Sequence, residues 1–135
     1  MKLVLDTNVL ISGIFFSGPP SEILVAWSEG RFNVVVSLEI IHEYRRVVDE
    51  LQVKFPKIDA APVLDALIVG AEVCVAKKFD EPLCDDPNDD MFIECALAAD
   101  AGVIVTGDAA LLRLSGHNGI SIVRPREFVD QYVGK

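Results

Sequence analysis

At 135 residues, half of them hydrophobic, the chain is expected to form a single domain over residues 1–135 with a substantial core. Twenty-one acidic against twelve basic residues give a net charge of −9, which argues against nucleic-acid binding by long-range attraction alone. No apolar run approaches the roughly 20 residues of a membrane span, and only three apolar residues separate Lys2 from Asp6, so neither a span nor a signal peptide is expected and the chain reads as cytoplasmic.

Lys2-Leu3-Val4-Leu5 is a short run of buried-strand type that ends at Asp6, and the apolar pattern resumes at Val9-Leu10-Ile11 in a helix. Gly18-Pro19-Pro20 interrupts the chain, after which Ser21 is placed as the cap of a helix over 22–29 that stops at Gly30. Residues 32–36 are apolar and β-branched, a strand. Ser37 then caps a long helix in which Ile40, Ile41, Tyr44, Val47, Val48 and Leu51 recur at helical spacing. Beyond Pro56 a helix is expected over 60–69 and a short strand over 73–75. Residues 84–90 form a turn leading into a helix over 89–99, with Phe92, Ile93, Ala96 and Leu97 inward. A strand over 103–105, a short helix over 108–114, a last strand over 121–123 and a helix over 125–133 complete the chain. Strands alternating with helices predict a three-layer α/β/α sandwich around a parallel sheet of about five strands.

The charge is unevenly placed. Residues 80–108 hold nine acidic side chains and no Lys or Arg, while the rest of the chain sums to zero. Each acid has an ordinary role to hand: Asp6 and Asp108 follow strands and precede helices, Asp86 precedes Pro87, and Asp89 and Asp90 sit in a first turn, all of them capping or dipole positions. Glu43, inside a helix and beside a buried stripe, has no capping role. In an α/β sheet, residues leaving the carboxyl ends of strands face the ligand crevice. Asp90 shares the inward face of Ile93 and Leu97, so Asp6, Glu43, Asp90 and Asp108 converge there as one constellation. Carboxylates with Thr and Asn oxygens and no His or Cys suit Mg²⁺ or Mn²⁺, one ion or two. Such a site activates water against a phosphodiester and neutralises charge at phosphorus. Thr7, Asn8 and Thr106 can orient the carboxylates from behind. Arg45, Arg46 and Arg113 are weaker candidates for phosphate contacts. Cys74, Cys84 and Cys95, odd in number and widely spaced, read as reduced thiols.

Asp6-Thr7-Asn8-Val9-Leu10-Ile11-Ser12-Gly13, Ser37-Leu38-Glu39-Ile40-Ile41-His42-Glu43-Tyr44, Asp85-Asp86-Pro87-Asn88-Asp89-Asp90 and Val105-Thr106-Gly107-Asp108, in that order, resemble the motifs of PIN-domain nucleases. More narrowly, the chain is similar to the VapC-like toxins of bacterial and archaeal toxin–antitoxin pairs. The resemblance spans essentially the whole chain. It implies that the acidic quartet falls on Asp6, Glu43, Asp90 and Asp108, with Asp89 one residue away and Asp86 a further contributor or a cap. It also implies Mg²⁺- or Mn²⁺-dependent cleavage of single-stranded RNA, homodimers, and inhibition by a small antitoxin protein. A phosphorylated receiver domain would want an acidic pair after the first strand, and a haloacid-dehalogenase-type phosphatase an Asp-x-Asp there; Asp-Thr-Asn supplies neither. The alternative of another class is a non-catalytic PIN-like module that keeps the acidic pocket for an antitoxin or for RNA.

Overall fold

The computed structural model describes residues 1–134. Five parallel strands, β1 (Lys2–Leu5), β2 (Asn33–Ser37), β3 (Glu72–Cys74), β4 (Val103–Val105) and β5 (Ser121–Val123), lie in the order β3-β2-β1-β4-β5. The central strand explains why its sequence is continuously apolar. Leu3, Val4 and Leu5 are covered on both faces and fully buried, as parallel strands require. Leu5 is in register with Val105, and Val105 with Val123, so β1, β4 and β5 end together at one edge.

The helices follow the sequence with local shifts. They are α1 (Thr7–Phe15), α2 (Pro19–Ser28), α3 (Leu38–Lys54), α4 (Ala60–Gly70), α5 (Asp90–Ala99), α6 (Ala109–Leu112) and α7 (Pro125–Phe128), the last continuing into a π turn, Val129–Val133. Ser37 caps α3 as expected, its hydroxyl accepting the Ile40 amide at 3.3 Å. Ser21 does not cap α2. That helix starts two residues earlier at Pro19, whose fixed φ and missing N–H suit the first helical position, after Gly18 at a φ of 126°. In α5, Phe92, Ile93, Cys95 and Ala96 are buried, each large side chain contributing about 1.5–3 kcal/mol, whereas Leu97, expected inward, is 37 % exposed.

From β1 the chain steps outward through β2 to β3, and α5 then carries it back to β4 on the other side of β1. α1 packs against α2, α3 and α4, while α5 packs across β1, β2 and β4, the arrangement that right-handed crossovers in this strand order require. The direction of winding therefore reverses between β1 and β4, which opens a crevice at their carboxyl ends. No single helix among the described residues is long and apolar enough to cross a membrane.

Candidate metal centre at the switch point

β1 and β4 deliver the first two carboxylates. Asp6 leaves β1 buried, its amide held by the Val105 carbonyl at 2.9 Å. Its side chain makes no capping bond to α1; instead Oδ2 accepts the Thr106 hydroxyl at 2.6 Å. The same hydroxyl accepts the Asp108 amide at 3.0 Å. One threonine thus ties the ends of both strands together. Asp108 does act as a cap, since its Oδ1 accepts the Ala110 amide at 3.0 Å, and its carboxylate still lies beside Asp6 and Asp89. Asp86 caps the short 3₁₀ turn Pro87–Asp89 by accepting the Asn88 amide at 3.0 Å.

Glu43 reaches the crevice from α3. Its neighbour Tyr44 is fully buried and donates its hydroxyl to the Leu5 carbonyl, which pins this part of α3 to the end of β1. Glu43 is ion-paired with Arg46 one turn on, and Arg46 also holds Glu50 at 2.8 Å.

The turn before α5 decides the fourth position. Asp90 is buried, as its place on the apolar face requires, but its carboxylate turns to the loop before it. Its carboxylate accepts the Leu83 amide at 3.0 Å and the Cys84 amide at 2.7 Å. Burial works against its charge, yet these bonds and the Cys84 thiol outweigh it and hold Asp90 below the usual carboxylate range. The expectation that Asp90 faces Asp6 and Asp108 is therefore corrected: Asp89 does. It closes a 3₁₀ turn rather than starting the helix, so helical spacing does not govern its direction.

A crevice of about 270 Å³ results, lined by Asp6, Thr7, Asn8, Glu43, Arg46, Asp86 and Asp89, with Asn88 and Phe92 also contributing. Burial pushes the Asp6 carboxyl up, the Thr106 hydroxyl and the amides of Thr7 and Asn8 pull it back, and Asp108 adds repulsion; the net shift is upward. Asp89 is pushed up to about 7, first by burial, then by a hydrogen bond shared with Asp108 and by the charges of Asp6, Asp108 and Asp86. A cation bound among these acids would relieve their mutual repulsion. The Thr7 hydroxyl is buried without a hydrogen-bond partner. Oxygen donors in mutual repulsion, with an unpartnered hydroxyl beside them, fit a hard divalent cation. Among the described residues no three acidic, His or Cys side chains already form a chelating cluster.

The three arginines divide. Arg46 lines the crevice, Arg45 points away to Asp65 on α4 at 2.9 Å, and Arg113 pairs with exposed Asp85 at 3.2 Å. Arg124, not singled out from sequence, follows β5 and hydrogen-bonds the Gly107 carbonyl at 3.3 Å, beside Asp108. A strand end in register with β4 was the available signal. A larger apolar groove of about 460 Å³ between α1, α2 and α4 shares no lining residue with the acidic crevice.

A doubly wound parallel sheet carrying acids at its switch point defines a class of hard-cation sites. Residues 2–110 match the PIN domain family, and the chain belongs to it. No curated protein matches the sequence significantly. Among solved structures, the fold is similar to a chain in the crystal structure of VapBC2 from Rickettsia felis bound to a DNA fragment from their promoter. The TM-score is 0.58 at 17 % identity, over 92 % of this chain and 98 % of that one.

Proposed function

We propose that this PIN domain is a metal-dependent endoribonuclease that hydrolyses phosphodiester bonds of single-stranded RNA and serves as the toxin of a toxin–antitoxin pair. The observation that carries the reading is the meeting of Asp6, Asp89 and Asp108 at the switch point, with Glu43 on the facing helix. Asp6, Glu43, Asp89 and Asp108 would hold Mg²⁺ or Mn²⁺, one ion or two. When bound, the ion supplies a nucleophile at neutral pH and neutralises charge at the phosphoryl group.

The chain's own groups do the rest. Thr106 holds Asp6 in one orientation and fixes the Asp108 backbone. Thr7 and Asn8 offer oxygen and amide groups at the crevice wall. Asp90 fixes the turn at residues 83–84 and thereby sets the position of Asp89 before α5. Arg46 lines the crevice and Arg124 bonds the carbonyl beside Asp108, and both would meet substrate phosphates. The fold shared with a chain of VapBC2 supports a small antitoxin as partner, with the homodimer the natural assembly to test.

Incubation of a mixed single-stranded RNA pool with purified protein tests the reading. Cleavage is expected with Mn²⁺, not with EDTA, and not with Asp89→Asn. Metal binding without cleavage of any RNA would instead favour a module that only binds.

A further inference from the structure

Cys74 closes the edge strand β3, and Cys95 lies in the second turn of α5, 21 positions further along the chain. Their sulfurs stand 3.3 Å apart, and the Cys74 thiol also contacts the Cys95 carbonyl at 3.8 Å. A disulfide is about 2.05 Å long, so bond formation requires closing a gap of about 1.3 Å. The side of the gap that can move is β3. It pairs with β2 alone, and the next residue, Val75, is 95 % exposed. Cys95 is fully buried, while Cys74 is half-buried and within reach of a small oxidant. The third thiol, Cys84, is buried and engaged with Asp90.

We propose that Cys74 and Cys95 form an oxidisable dithiol that hydrogen peroxide converts into an intramolecular disulfide. The Cys74 thiol gives up its proton as its sulfur takes one peroxide oxygen, the O–O bond breaks, and the departing hydroxide takes up that proton to leave as water. The Cys95 sulfur then attacks the sulfenic sulfur of Cys74. An S–S bond forms, the S–O bond breaks, and hydroxide departs with the Cys95 proton as a second water. Two thiols lose two electrons and one peroxide becomes two waters. Burial, reinforced by Cys74, pushes the Cys95 thiol up, and Cys74, the more exposed of the two, is the sulfur that peroxide meets first. The bridge would tie together the ends of the segment between β3 and α5, the one that carries Asp86 and Asp89, and restrict its freedom.

The test treats purified full-length protein with hydrogen peroxide, quenches with an alkylating agent under denaturing conditions, and maps the peptides. The expected product has lost two hydrogens, carries one Cys74–Cys95 cross-linked peptide, leaves Cys84 alkylated and is reversed by dithiothreitol. It also unfolds at a higher temperature and is cut more slowly by protease between residues 75 and 89. Cys74→Ser and Cys95→Ala should each remove the bridge and the thermal shift, while the wild-type peptide map stands even if a variant folds poorly. Bridging through Cys84, cross-linking between chains, or sulfinic acid on Cys74 with Cys95 still alkylated would overturn the proposal.

Discussion

Two acidic neighbours in the chain live in opposite surroundings. The turn at Leu83 and Cys84 wraps the carboxylate of Asp90 in backbone amides, and that charge is paired and held below the ordinary carboxylate range. One residue earlier, Asp89 faces Asp6 and Asp108, shares a hydrogen bond with another acid and is pushed up to about 7. Asp90 is buried and Asp89 half-buried, yet Asp6 in the crevice is as buried as Asp90, so burial does not separate an acid that builds the fold from one available to a ligand. Partner supply does. A carboxylate whose donors are all protein groups is finished structurally, and one left against its own kind has an interaction still to make.

That contrast can be broken by experiment. The largest expected effect is on the crevice: Asp89→Asn or Asp6→Asn should reduce Mn²⁺-dependent RNA cleavage by more than about 100-fold, with the circular dichroism spectrum unchanged. If Asp89→Asn cleaves like the wild type while an equally folded Asp90→Asn does not, the roles assigned to the two residues are reversed. Next comes Asp90→Ala, which strands the Leu83 and Cys84 amides and should cost about 2–3 kcal/mol in urea unfolding without metal. A smaller effect is expected of Thr106→Val, which frees the Asp6 carboxylate and should lower cleavage about 10-fold.

The smallest expected effect depends on pH. Because the folded state raises the Asp89 pKa, it binds more protons than the unfolded state between about pH 4 and pH 7. The stability contributed by protonated Asp89 is therefore full below about pH 4, falls as pH rises toward 7, and levels off above it. Allowing for solvent screening of a half-buried group, the fall should be about 1–2 kcal/mol. Asp89→Asn should flatten this part of the profile in metal-free chemical denaturation and be the more stable protein at pH 8. Asp90 has the opposite sign: its contribution is present above about pH 4 and is lost only as acid protonates it below the ordinary carboxylate range.

How far the chain announced this arrangement varies with the physics involved. Leu3-Val4-Leu5 and Val103-Ile104-Val105 are apolar on both faces, a property only a covered parallel strand explains, so the sheet and the positions of Asp6 and Asp108 at strand ends were readable directly. Ser37 was readable as a cap because capping is local. The start of α2 was misread because Pro19 as a first helical residue competed with Ser21 as a cap, and the proline prevailed. Glu43 was flagged by its lack of any capping role, although its ion pair with Arg46 was not.

The choice between Asp89 and Asp90 required tertiary structure. Helical periodicity correctly placed Asp90 on the buried face of α5, but it carries no information about what a loop six or seven residues upstream brings to that face. The chain by itself determined the fold, through patterns repeated every two or 3.6 residues, and the edge at which the acids gather. Tertiary structure decided which acids meet, which sulfurs approach and which arginine lines the crevice, because each of these depends on contacts between segments whose separation no local pattern records.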